Sequence, residues 1–175
     1  MPADVPMHVY VKFLDSAREY LGGRYGGAWI DQDAEGARSI SIAVVGPTDA
    51  DRSKIGNLAG KHSDAVELVP VKYAREELLA WHKAIANAVM GAEGSRGART
   101  LLATGKGFYV FAGVGWDPRQ NKVVVWTSGP FIPEDAIGSS PVVGEIPDSI
   151  PSDAWIIDTN RVVSIAPLSA SVGEH

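Results

Sequence analysis

Gly26-Gly-Ala-Trp-Ile30, the polar run Asp31-Gln-Asp-Ala-Glu-Gly36 and the run Ser39-Ile-Ser-Ile-Ala-Val44 occur in this order in the sequence. A polar turn between two segments rich in aromatic and β-branched residues is typical of a β-hairpin. Side chains of a strand alternate between its two faces, so the two isoleucines and Val44 share one face and the serines share the other. This stretch predicts a hairpin in a sheet that is covered on one side only.

A helix is predicted before the hairpin. Apolar residues recur at helical spacing from Tyr10 to Leu21, and Gly22-Gly23 is a helix stop signal. The alternative is a strand through Val9, Val11 and Phe13. The helix is favoured over at least Ser16–Leu21, because Ser16-Ala-Arg-Glu19 has the pattern of a capping box.

Two further helices and a strand are predicted after the hairpin. Pro47-Thr48-Asp49 favours the start of a helix near Ala50–Leu58. Val66–Tyr73 is predicted as a strand, and Pro70 places that strand at a sheet edge or at a bulge. Arg75–Met90 has the clearest amphipathic pattern in the chain and predicts a helix.

The second half of the sequence predicts mainly strands. Gly91–Gly107 contains five glycines and is interpreted as a linker or mobile loop. Phe108–Ala112 and Lys122–Thr127 flank the turn sequence Asp117-Pro-Arg-Gln-Asn121, which predicts a hairpin. Ala154–Ile165 predicts one more hairpin-like unit.

The order of these elements predicts an α+β fold with two small subdomains, each made of antiparallel sheet with packed helices. Residues 1–90 are assigned to an N-terminal α+β subdomain. Residues 91–107 are assigned to the glycine-rich linker or loop. Residues 108–175 are assigned to a C-terminal β-rich subdomain that ends in an extended tail.

Composition excludes several classes of protein. The 175 residues include no cysteine, which excludes disulfides and cysteine-based metal sites. The net charge of −5 argues against a nucleic-acid-binding surface, and no apolar run is long enough to span a membrane. The N-terminus has no secretory signal, so a cytoplasmic location is expected for the sequence as it stands, and an extracellular one if a leader was removed. The oligomeric state stays open.

Catalytic and metal-binding patterns are not found in the sequence. No Gly-x-Ser-x-Gly motif is present, and the four histidines lie far apart, with His82 on an apolar helix stripe. Asp31–Gly36 resembles the first half of a calcium loop, but Ile42 stands at the position of the bidentate glutamate, so a polar turn is favoured. No catalytic residue, metal site or cofactor is therefore predicted.

Tryptophan is the most notable remaining feature. Four tryptophans fall near predicted hairpin ends: Trp29, Trp116, Trp126 and Trp155. They would form a binding surface if they shared one face, whereas packing in the core is the favoured interpretation.

Three segments in this order resemble the pro-domain of the α-lytic protease and streptogrisin family of chymotrypsin-like serine proteases. They are Leu21–Asp31 with the strand and turn up to Ala50, Val66–Tyr73 with Arg75–Leu79, and Asp117–Val125. Two departures stand out. Ala74 occupies a helix N-cap position where the family usually has serine, and no protease sequence follows in the chain.

The resemblance implies an α+β pro-region that binds a protease and inhibits it through a C-terminal segment. Such binding requires a free sheet edge and an extended tail. The edge is predicted at Lys122–Thr127, with Lys122, Val124 and Trp126 as contacts. The tail is predicted at Val162–His175, with Val162, Ser169 and Val172 as contacts. The expected partner is a serine-protease-like protein; an intracellular structural or interaction protein and a small-molecule enzyme are the alternatives.

Overall fold

A computed structural model describes residues 7–91, 100–104, 107–136 and 142–159, which contain three α-helices and eight β-strands. The helices are α1 (Met7–Leu21), α2 (Asp49–Ala59) and α3 (Arg75–Met90). The strands are β1 (Tyr25–Gln32), β2 (Arg38–Val45), β3 (Val66–Val71), β4 (Thr100–Thr104), β5 (Gly107–Asp117), β6 (Lys122–Pro133), β7 (Val142–Gly144) and β8 (Trp155–Asp158). Helices and sheets together confirm the predicted α+β class.

The first sheet has the strand order β1-β2-β3. β1 and β2 form the predicted antiparallel hairpin, with Ile30 opposite Ile40. α2 carries the chain from β2 to β3, which runs parallel to β2 with Val44 opposite Pro70. Pro70 therefore lies in an edge strand, as predicted, where a missing N–H need not interrupt the ladder. The sheet is mixed and not antiparallel throughout.

The core of this first layer lies between the sheet and helices α1 and α2. One stripe of α1 is buried, and its residues recur at helical spacing: Tyr10, Phe13, Ala17 and Leu21. The stripe packs with the isoleucines of β2, with Ile55 of α2 and with Leu68 of β3. The predicted helix over Tyr10–Leu21 is confirmed, and the alternative strand is wrong.

Two local predictions for this layer are wrong. Ser16 does not cap a helix, because α1 begins earlier and the Ser16 hydroxyl donates to the carbonyl oxygen of Lys12, one turn back, at 3.0 Å. The sheet is not covered on one side only, since Ser41 and Ala43 on its other face are also buried. Residues distant in sequence cover this other face, since Trp116 and Pro118 pack against Gly27 of β1.

The second sheet has the order β7-β4-β5-β6-β8 and is also mixed. β4, β5 and β6 are antiparallel to their neighbours in the chain, whereas β7 runs parallel to β4 and β8 runs parallel to β6. The described part of the predicted hairpin Ala154–Ile165 is thus a strand, β8, that pairs with β6. Residues 160–165 lie outside the described residues.

Helix α3 covers one face of this second sheet. Leu78, Ile85 and Val89 of the helix pack with residues that include Val123 and Val125 of β6. By its packing α3 therefore belongs with the second sheet, whereas the predicted division at residue 90 groups it with the first. The change from one layer to the other lies between β3 and α3.

Two predictions about the second sheet are corrected. Thr100–Thr104 is a strand, β4, and not part of a linker; its apolar Leu101-Leu102 pair packs in the sheet. The rest of the predicted linker, residues 92–99 and 105–106, lies outside the described residues. Lys122–Thr127 is not a sheet edge, because β6 pairs with β5 on one side and β8 on the other.

The N-terminus of α3 has the incomplete cap that the sequence predicts. Glu77 accepts a hydrogen bond from the Ala74 N–H at 2.9 Å, which is one half of a capping box. Ala74 has no side-chain acceptor for the other half. None of the described helices combines the length and apolarity needed to cross a bilayer.

Candidate protein-binding surface

The turn of the β5–β6 hairpin joins the two sheets through Asn121. Its side-chain carbonyl accepts hydrogen bonds from the N–H groups of Lys72 (3.1 Å) and Tyr73 (2.8 Å). Its amide donates to the Tyr73 carbonyl oxygen at 2.8 Å. Asn121 is buried and has a φ of 52°, a left-handed conformation that asparagine tolerates better than most residues. The side chain thus provides hydrogen-bond partners for the backbone groups of the segment that connects β3 to α3.

Other residues of the same turn contact β1. Asp117 accepts hydrogen bonds from the backbone N–H groups of Arg119 and Gln120, which fixes the turn. Arg119 forms an ion pair with Asp31 at 2.6 Å. The carboxylate of Asp31 also accepts from the Trp29 indole. Asp31 and Gln32 belong to β1, so the predicted polar turn Asp31–Gly36 begins two residues later, at Asp33.

A second polar contact ties residues near β8 to the same connection. Asp153 accepts a hydrogen bond from the Tyr73 hydroxyl at 2.7 Å and forms an ion pair with Lys72 at 2.6 Å. The hydrogen bond from Lys72 lowers the pKa of Asp153, and the same bond raises the pKa of Lys72. Both side chains are more than half exposed, so the pair adds little stability.

The first layer contains a buried carboxylate with a structural role. Asp51 is 1% exposed and accepts two hydrogen bonds from the Arg24 guanidinium, each 2.7 Å long. It also forms a capping box with Thr48 at the start of α2. The hydrogen bonds from Arg24 hold the pKa of Asp51 far below its ordinary value. The ion pair with Arg24 and the capping of α2 together account for the lowered pKa of this carboxylate.

The face of the second sheet opposite α3 is apolar. Leu102, Val123 and Val125 point toward α3, so Leu101 and Val124, which alternate with them, point the other way. The register places further apolar residues on this far face: Val110 and Val143 beside Leu101, and Ile156 beside Val124. We call this set, with Trp126, the far face. Asp158, opposite Trp126 in the register, lies on the same face. Leu101 and Val124 are buried, and Val143 is 41% exposed.

Trp126 shapes the centre of the far face. Its ring lies over two residues of β5, Gly113 and Gly115, where a Cβ atom would come within 3.2 and 2.5 Å of the indole. The indole therefore lies flat along the sheet and leaves the far face without a large projection. Trp155, in contrast, packs with the core on the α3 side, so the predicted alternative in which four tryptophans share one face is wrong.

Two free strand edges remain among the described residues of the second sheet. β7 is three residues long and pairs only with β4, and β8 is four residues long and pairs only with β6. Ile156, of β8, lies on the far face. The edge of β8 is therefore continuous with the apolar surface.

Of the six predicted contact residues, three lie on β6 and three lie outside the described residues. Lys122 is half-buried at the beginning of β6, Val124 is 6% exposed on the far face, and Trp126 is half-buried beside it. They share a strand, but that strand has no free edge. Val162, Ser169 and Val172 lie outside the described residues.

Sequence reasoning missed the residues that form the free edge and the far face. Ile156 and Val143 were not singled out. A signal did exist: Val123-Val-Val125 and Leu101-Leu102 are uninterrupted apolar runs, which are typical of strands with two apolar faces.

The described residues provide no cluster of potential metal ligands. No three His, Cys, Asp or Glu side chains within the described ranges come close enough together to hold a metal ion. His82 is half-buried on α3, and its Nε2 lies at hydrogen-bond distance, 3.2 Å, from the Val114 carbonyl oxygen, which links the helix to the sheet. His62 is half-buried in a short turn, and His8 is exposed.

No protein-family model matches the chain, and no curated protein sequence matches it. The functional proposal accordingly depends on the surfaces of the fold and on the resemblance of the sequence segments.

Proposed function

We propose that the chain is a non-enzymatic protein-binding module, and that its partner is a chymotrypsin-like serine protease. The partner would bind the outer edge of β8 and the adjoining far face, and the predicted tail Val162–His175 would extend into the protease. The resemblance to protease pro-domains gives the class of partner. The surface on this chain replaces the predicted edge at Lys122–Thr127.

The apolar far face is the main observation that supports this proposal. Its outer part is accessible to a partner: Val143 is 41% exposed and Ile156 is half-buried, whereas Leu101 and Val124 at its centre are buried. Apolar surface left in water is unfavourable by roughly 25 cal/mol for each Å², and exposed apolar patches are typical of protein interfaces. Val143 and Ile156 are the residues of this surface that a partner can reach most easily, because they lie on the two outer strands.

The edge of β8 supports the mode of binding. Backbone N–H and C=O groups on the outer side of an edge strand are ready to pair with an added strand. β8 is the last described strand, and the predicted tail follows it in the sequence. An extended partner segment at β8 would thus lie next to both the far face and the tail.

The resemblance also requires β3 to lie in the same sheet as β2. β3 pairs with β2 along its whole length, from Ile40 opposite Val66 to Val45 opposite Val71. This pairing agrees with the proposal, because a β3 in the other sheet would remove the basis of the resemblance.

An inhibition assay with the full chain tests the proposal. We expect the wild-type protein to inhibit a chymotrypsin-like protease, measured with a peptide substrate. Ile156→Asp places a charge on the far face and should weaken inhibition roughly tenfold or more. Val11→Asp is the matched control, because Val11 is 50% exposed on α1, in the other layer. It should inhibit as the wild type does.

The outcomes separate the two parts of the proposal. No inhibition of a panel of chymotrypsin-like proteases by the wild-type chain would overturn the class of partner. Equal loss of inhibition in Ile156→Asp and Val11→Asp would overturn the assignment of the binding surface to β8 and the far face. Deletion of residues 166–175 tests the tail: inhibition that survives this deletion unchanged would remove the tail from the interface.

A further inference from the structure

A cleft lies on the side of the second sheet that faces α3, opposite the far face. It has a volume of about 420 Å³, and six residues line it: Ala103, Thr104, Glu145, Ile146, Trp155 and Ile157. Ile146, Trp155 and Ile157 are partly buried and pack against the α3-side core. The cleft is thus built on the folded core and not on a loop at the periphery.

The lining has the composition of a small-ligand site. Such sites commonly have volumes of roughly 300–1,000 Å³, with mostly apolar and aromatic walls and a few polar groups. Here the indole of Trp155 and the side chains of Ile146 and Ile157 give the apolar walls. Glu145 adds a single acidic group. It is exposed, and it forms no ion pair with a described lysine or arginine.

We propose that this cleft binds a small apolar ligand that carries an ammonium group. The apolar part lies against Trp155 and the isoleucines, and the ammonium pairs with the Glu145 carboxylate. This site is separate from the protease-binding surface, because Trp155 and Ile157 face α3 whereas Ile156 lies on the far face. A negative result for this cleft would therefore leave the proposed function untouched, and the failure of the proposed function would leave the cleft untouched.

A pair of probes with opposite charge tests the site on the full chain. 2-Phenylethylamine and 3-phenylpropionate have similar apolar parts, and binding is followed by ¹H–¹⁵N chemical-shift changes, including the indole N–H of Trp155. We expect the amine to shift the Trp155 signal and to bind more tightly than the acid. Glu145→Gln should weaken the amine roughly two- to fivefold and leave the acid no weaker, because an exposed ion pair contributes modestly.

Two variants guard against trivial results. Glu134→Gln removes an exposed carboxylate outside the cleft and should leave both probes unchanged. Thr104→Leu places a larger side chain in the cleft, because Thr104 shares the α3-side face of β4 with Leu102. It should reduce amine binding at least tenfold in a protein whose melting temperature stays near that of the wild type. Equal binding of amine and acid, or full amine binding by a folded Thr104→Leu protein, would overturn the proposal.

Discussion

The side-chain amide of Asn121 bonds to both the N–H and the carbonyl oxygen of Tyr73, across 48 residues of sequence. Asn121 ends the turn of the second sheet, and Tyr73 lies in the segment that leads from β3 of the first sheet to α3, with its side chain in the core of the second. Together with the bond from the Lys72 N–H, this contact holds the end of β3 to the turn. It also explains why the turn sequence Asp117–Asn121 needs an amide side chain at its last position.

Asn121→Ala should destabilise the protein by about 2–3 kcal/mol. The variant leaves buried backbone groups of Lys72 and Tyr73 without partners and puts alanine into a left-handed conformation. Urea denaturation measures the change. Asn121→Gly removes the backbone strain but does not restore the lost hydrogen bonds, so its stability should lie between those of the wild type and Asn121→Ala. A variant as stable as the wild type would show that the contact contributes nothing.

Asp51→Asn should reduce stability at neutral pH by roughly 2 kcal/mol, because the ion pair with Arg24 and a strong helix cap are both weakened. The pKa of Asp51 is lowered in the folded state. Its contribution is therefore complete above the unfolded pKa of about 4 and declines as the pH falls toward the folded value. Unfolding curves from pH 7 down to pH 2 should show the difference between the two proteins shrinking. A difference that stays constant would contradict this linkage.

Ala74→Ser should stabilise the protein by up to about 1 kcal/mol. Ala74 already has the extended backbone of an N-cap residue, and serine would supply the acceptor that the first turn of α3 lacks. The melting temperature reports the gain. Ala80→Ser, at an exposed position inside the same helix, is the control and should bring no gain. An equal effect of both substitutions would rule out capping as the cause.

Gly144→Ala should destabilise the packing between β7 and α3. A Cβ at Gly144 would clash with the Val89 backbone, so helix and strand would have to separate. We expect a loss of at least about 1–3 kcal/mol, as for other overpacked positions. Gly23→Ala is the matched control, because nothing lies within 4 Å of the added methyl group. Thermal unfolding of both variants distinguishes a local clash from a general effect of losing glycine.

The helices and the first hairpin could be predicted from sequence because their signals are local. The apolar spacing of α1, the stop at Gly22 and the alternation of β2 each depend on neighbouring residues. The bounds of α3 are those predicted from its amphipathic pattern. Periodicity of this kind is set by the geometry of one element and needs no knowledge of its partners.

The sheet order could not be predicted, because it depends on residues far apart in sequence. The alternation of Lys122–Thr127 describes an edge strand and an interior strand equally well, and only its pairing with β8 excludes the edge. β4 was missed because glycines on both sides of Thr100–Thr104 favour a loop. The cleft and the far face were missed for the same reason, since each brings together residues from several strands.

Because one turn supplies the hydrogen-bond partners of the β3–α3 connection, neither layer is self-sufficient. Separating them would expose the paired backbone groups of Lys72 and Tyr73 and the packed surfaces around Gly27 and Trp116. Heat or denaturant should therefore melt both sheets in one concerted transition, so that a probe in the first layer and a probe in the second report the same midpoint.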